Sequence, residues 1–70
     1  MADNVIDRMI ARRLRKRRKA LGMSITMLVA SIVVSYQQIQ KYETGQNRVS
    51  ASRLYLASKA LDVKVEWFFE

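Results

Sequence analysis

Eleven residues, Ser35 to Gly45 (S-Y-Q-Q-I-Q-K-Y-E-T-G), restrict this chain more than any other segment. Ser35 suits an N-cap, where its hydroxyl accepts from a free backbone N–H of the first helical turn. Gly45 suits a C-terminal stop, because glycine enters the left-handed region at little cost. The stretch between them, about 36–44, therefore predicts one short, capped helix. Ile39 and Tyr42 lie three apart and form a small apolar side, while Gln37, Gln40, Lys41 and Thr44 follow the i, i+3, i+4, i+7 spacing and line the opposite side. That polar side holds amides and one cation. Glutamine amides can pair bidentately with adenine N6 and N7, and lysine can donate to guanine O6 and N7. Such a face suits a DNA major groove. Taken alone, it also suits an ordinary solvated helix.

The same punctuation divides the rest of the chain. Asp3 or Asn4 can cap a first helix of about Val5 to Leu21, with an apolar stripe of Ile6, Met9, Ile10, Leu14 and Leu21, and Gly22 closes it. Ser24 caps a second helix, about Ile25 to Ile32, and Val33 and Val34 lead to Ser35. The Met27 to Val34 run is rich in β-branched residues and would suit a buried strand, but no other segment reads as a partner, so it is read as helix. A polar loop from Gly45 to Val49 precedes Ser50, which caps a fourth helix to about Leu61. A last turn carries Glu66 to Phe69. The expectation is an all-α fold: one compact bundle of about five short helices, residues 1–70 forming a single unit with its helix-turn-helix at about 24–44.

Charge narrows the partners. Thirteen Lys and Arg against six Asp and Glu give +7 over 70 residues, which points to a polyanion, nucleic acid first and an anionic membrane surface second. The chain has no Cys and no His, so disulfides, zinc fingers, thiol nucleophiles and imidazole bases are absent. With no paired carboxylates and no Gly-rich phosphate loop either, no enzyme, metal or cofactor is expected. No apolar run approaches the roughly 18 residues of a spanning helix, and the N-terminus lacks the order of a signal peptide. The expected location is the cytoplasm.

Eight cations fall within twelve residues of the first helix: Arg8, Arg12, Arg13, Arg15, Lys16, Arg17, Arg18 and Lys19. Like charges four apart cost a few tenths of a kcal/mol per pair, a cost that phosphate neutralisation would offset. A solvated charged face is the plain alternative. Glu43 is the only acid between Asp7 and Asp62, and beside a DNA-facing helix an unpaired carboxylate would repel phosphate.

From Ile10 to Phe69 the chain resembles the Cro/phage-repressor, or xenobiotic-response-element, helix-turn-helix family. The resemblance rests on the joint spacing of Leu14, Arg15, Arg18, Gly22, Ser24, Leu28, Ile32, Val34, Ser35, Ile39, Lys41, Glu43, Gly45, Ser50, Leu54, Ala60, Leu61 and Val63, and on the V-x-W-F-F ending. It implies a lambda-repressor-like fold and a sequence-specific, double-stranded DNA-binding transcriptional regulator. Tyr36, Gln37, Gln40 and Lys41 would face base edges. Ser35, Thr44, Asn47 and Arg48 would hold phosphates. Arg18 and Glu43 match a structural salt bridge of the family, and the family commonly dimerises near its C-terminal end, which makes Trp67 and Phe69 candidate contacts of a weak homodimer.

Departures from the family pattern are equally informative. Ile25 stands where the family has a glutamine that touches the DNA backbone, and cannot make that bond. Val33 stands where the family has glycine. Arg17 occupies a position that is often apolar, and Ala57 one that is usually large. Ile25, Met27, Val33 and Leu56 fall where solvent is expected, so Ile25 and Val33 could mark a second protein surface. The competing function is accordingly a protein-interaction module, antitoxin-like or a co-regulator subunit, that uses its apolar second helix. A membrane-surface or RNA-binding role is a lesser alternative.

Overall fold

The computed structural model describes residues 4–70; the proposed cap Asp3 lies outside them. Four α-helices and a closing 3-10 turn make up the described residues: α1 Val5–Ala20, α2 Ile25–Ile32, α3 Tyr36–Thr44, α4 Ala51–Ala60 and the turn Val65–Phe69. The architecture is all-α, with four helices rather than five, because the last apolar stretch forms a single tight turn.

Every α-helix opens on a short polar side chain that accepts from the backbone N–H three residues on. Asn4 Oδ1 takes the N–H of Asp7 at 2.7 Å, and the hydroxyls of Ser24, Ser35 and Ser50 take those of Met27, Gln38 and Arg53 at 3.3, 3.1 and 3.2 Å. The helix ends are less uniform. Gly22 (φ +69°) and Gly45 (φ +79°) use glycine's access to the left-handed region, but Val33 (φ +61°) and Asp62 (φ +55°) enter it with a side chain. For Val33, which ends α2 by donating its N–H to the Val29 carbonyl at 2.9 Å, the conformation costs about 1–2 kcal/mol. The turn between α2 and α3 thus keeps the left-handed backbone that glycine normally supplies.

The core sits where the helices meet. Leu14, Leu28, Ile32, Ile39, Leu61 and Phe68 are fully buried, joined by Ile10, Tyr42, Leu54 and Ala57. α1 packs on α3 and on the C-terminal turn, and α2 packs on α3 and α4. Phe68 meets Trp67 edge-on at 5.3 Å. Three members of the stripe expected on α1 are not part of this core: Ile6, Leu21 and the half-buried Met9. Ile6 is exposed in the first turn and Leu21 is exposed as the C-cap, where the chain leaves the helix. Ala11 and Arg18 take the inward places instead. Leu56 and Ile25 are half-buried, and only Met27 and Val33 of the four unexpected apolar residues stand well out in solvent.

Candidate nucleic-acid interface

α3 is held by its apolar side, Ile39 and Tyr42, and by one buried acid, Glu43. The remaining side is open: Tyr36, Gln37, Gln40 and Lys41 are all exposed. No carboxylate interrupts that face, because Glu43 turns inward to Arg18. Arg18 Nε donates to Glu43 Oε2 at 2.7 Å and Nη2 to Oε1 at 3.0 Å, while Nη1 donates to the Met23 carbonyl at 2.7 Å. The two side chains are 10% and 4% exposed. This is a forked, charge-assisted pair that ties α1 to the end of α3 and, through Met23, to the loop entering α2. The hydrogen bonds that Arg18 donates to Glu43 raise its pKa above the usual arginine value, against the opposing effect of burial. Stability from a raised pKa is lost only as pH rises through it; for a guanidinium that lies far above physiological pH, so the tie is insensitive to pH there.

The candidate phosphate contacts occupy varied settings. Ser35 caps α3 with its oxygen, which leaves its proton available. Thr44 donates its one hydroxyl proton to the Gln40 carbonyl at 3.0 Å and in this rotamer has none for a phosphate. Asn47 donates one amide hydrogen to Gln38 Oε1 at 3.4 Å. Arg48 pairs with Asp7 of α1 at 2.9 Å but stays 67% exposed, so a phosphate could replace that partner at little cost. The Asp7 contact spans 41 residues of sequence, and no local pattern announces it.

The basic run of α1 is divided by the fold. Arg17 is half-buried and donates Nε to the Leu61 carbonyl at 2.9 Å. Arg13 lies over the Trp67 ring, 5.0 Å from its centroid, and donates to the Glu70 carbonyl. Arg13 thus fastens the C-terminal turn to α1, and Arg17 fastens the end of α4 to it. Trp67 is therefore half-buried and engaged within its own chain, whereas Phe69 is 46% exposed. Arg15 faces the other way. It lines a groove with Ile25, Gln37, Gln40, Lys41 and Gln46, in front of the buried pair.

A helix-turn-helix family model matches residues 14–68. The chain belongs to the Cro/phage-repressor helix-turn-helix family. Within this family it is 52% identical over 64 residues to an uncharacterized transcriptional regulator in the ATPase CF(0) region of Rhodospirillum rubrum, covering 91% of this chain and 59% of the relative. It is 49% identical over 67 residues to an HTH-type transcriptional regulator of Sinorhizobium fredii, covering 96% of this chain and 47% of the relative. The chain thus spans about half the length of these curated relatives. Among solved structures, the restriction-modification controller protein C.AhdI of Aeromonas hydrophila superposes with a TM-score of 0.82 at 27% identity, over 89% of this chain and 94% of that one. The fold is shared as well with the clp gene regulator ClgR of C. glutamicum, at a TM-score of 0.86 over 96% of this chain and 87% of that one.

Proposed function

We propose that this chain is a sequence-specific, double-stranded DNA-binding transcriptional regulator that reads the major groove with α3. The observation that carries the reading is the division of α3. Gln37, Gln40 and Lys41 are exposed together on one side, and the single acid of the helix is turned inward onto Arg18. The names of the relatives as transcriptional regulators support it. Tyr36, Gln37, Gln40 and Lys41 meet base edges; Ser35, Asn47 and Arg48 hold phosphates, and Thr44 joins them if its hydroxyl leaves the Gln40 carbonyl. The activity is recognition without catalysis, exercised in the cytoplasm, where the DNA is.

The test is a binding selection from a random duplex library, followed by substitution. Gln37→Ala should cost about 1–3 kcal/mol on the selected site and relax preference at one base pair. Arg48→Ala should weaken all sequences about equally. Unchanged site preference in Gln37→Ala would remove α3 from its reading role.

One copy of α3 reaches only a few base pairs, so the reading includes a weak homodimer, strengthened by DNA, on half-sites about one helical turn apart. Exposed Phe69 is its main contact and Trp67 a supporting one. Sedimentation of Phe69→Ala with and without a selected duplex tests this; one protomer per site would refute it. A protein-interaction role through Ile25 and Val33 is less well supported, because Ile25 packs against the core.

A further inference from the structure

We infer that the outer face of α1 is a second phosphate-binding surface, which holds the DNA backbone beyond the base pairs that α3 reads. The inference rests on the DNA-binding reading above and extends it to a different helix.

Arg8, Arg12, Arg15 and Lys19 follow the i, i+4, i+7, i+11 spacing and so form one stripe along the helix, with Lys16 beside it. At 1.5 Å per residue the stripe is about 16 Å long, the axial rise of about five base pairs at 3.4 Å each. Arg12, Arg15, Lys16 and Lys19 are exposed, and none of the four has a hydrogen bond or ion pair to another described residue. The nearby acid, Glu43, is already engaged by Arg18. In the unbound molecule Arg12, Arg15, Lys16 and Lys19 repel one another along the helix.

The position of the stripe identifies the polyanion. Its cations line a groove that α1 forms with the last turn of α3, at Glu43, Thr44 and Gly45. Arg15 also lines the neighbouring groove with Gln37, Gln40 and Lys41. The two grooves share Arg15, Glu43 and Thr44 in their walls. A duplex seated on α3 brings its backbone alongside α1. An acidic protein could match the charge of the stripe but would have to share this edge with the DNA. Arg15 further shares its groove with Ile25, so it supplies a phosphate donor at the place where Ile25 has none.

The experiment compares the parent chain with the triple variant Arg12→Gln, Lys16→Gln, Lys19→Gln, leaving Arg15 in place. The probes are duplexes bearing the library-selected site, either trimmed to the site or extended by about six base pairs on each side. Binding is followed by fluorescence anisotropy across a salt series. The extended duplex should bind the parent more tightly than the trimmed one. The triple variant should lose that advantage, and its slope of log affinity against log salt should flatten by about 2–3. Its base preference should stay unchanged. Gln37→Ala should do the opposite, relaxing preference and keeping the slope, so that a failure of α3 and a failure of α1 give different results. Equal slopes for parent and triple variant on the extended duplex would overturn the inference. So would a parent that binds no duplex with sequence preference, or a triple variant that loses binding to poly-glutamate while keeping its grip on the extended duplex.

Discussion

Lys16 and Arg17 are adjacent in sequence and opposite in circumstance. Lys16 points into solvent and lines an open groove. Arg17, one residue and 100° further round the helix, is half-buried with its Nε on the Leu61 carbonyl. The same contrast runs the length of α1. Arg13, Arg17 and Arg18 each hold a fixed partner from another part of the chain, whereas Arg12, Arg15, Lys16 and Lys19 hold none among the described residues. What reads as one block of charge is two devices. The inner cations fasten α1 to the ends of α3 and α4 and to the C-terminal turn. The outer ones leave a field for a partner. Substitutions on the inner side should therefore change stability, and those on the outer side should change binding.

The sharpest way to break this contrast is Arg18→Ala. It leaves Glu43 charged and nearly buried, and the expected loss is about 3–5 kcal/mol in urea unfolding. Replacing both Arg18 and Glu43 should recover part of that loss; additive losses in the double-mutant cycle would show the two residues to be uncoupled. Arg17→Ala should cost less, about 1.5–3 kcal/mol, since a hydrogen bond from a charged group to one carbonyl is removed. A loss below about 0.5 kcal/mol would move Arg17 to the outer class. The smallest effect belongs to the outer side. Arg12→Gln with Lys16→Gln removes two like-charge pairs at i, i+4, Arg8 with Arg12 and Arg12 with Lys16, and should leave stability unchanged or raise it by about 0.4–1 kcal/mol. A clear destabilisation would mean that the outer cations also carry structure.

The helix boundaries were legible because their signals are local. A serine ahead of an apolar period marks the start of α2, α3 and α4, and Gly22 and Gly45 mark stops, each acting within a turn of its own position. The exposed side of α3 was legible by the same local periodicity. The division of α1 was only partly so. Helical phase separates Lys16 from Arg17, but the acceptors of Arg13 and Arg17 are backbone carbonyls at Glu70 and Leu61, and a carbonyl carries no residue-type signature. The Asp7–Arg48 pair was hidden for a related reason: it depends on how α1 lies against the loop after α3, a matter of packing. The apolar stripe of α1 was misplaced at Ile6 and Leu21 because periodicity gives the direction of a side chain but not whether anything covers it.

The left-handed valine at position 33 has a consequence for local opening. A helix end held in an unfavourable conformation releases first, because relaxing the backbone there recovers part of the strain. The Val33 amide, bonded to the Val29 carbonyl, should thus exchange with solvent deuterium through a local event, well before global unfolding. The Gln46 amide, which reaches back across Gly45 to the Lys41 carbonyl at 2.9 Å, carries no such strain and should be better protected. Val33→Gly should narrow the gap between these two sites. The α2–α3 turn, which sets the pose of α3, should therefore open before the bulk of the fold.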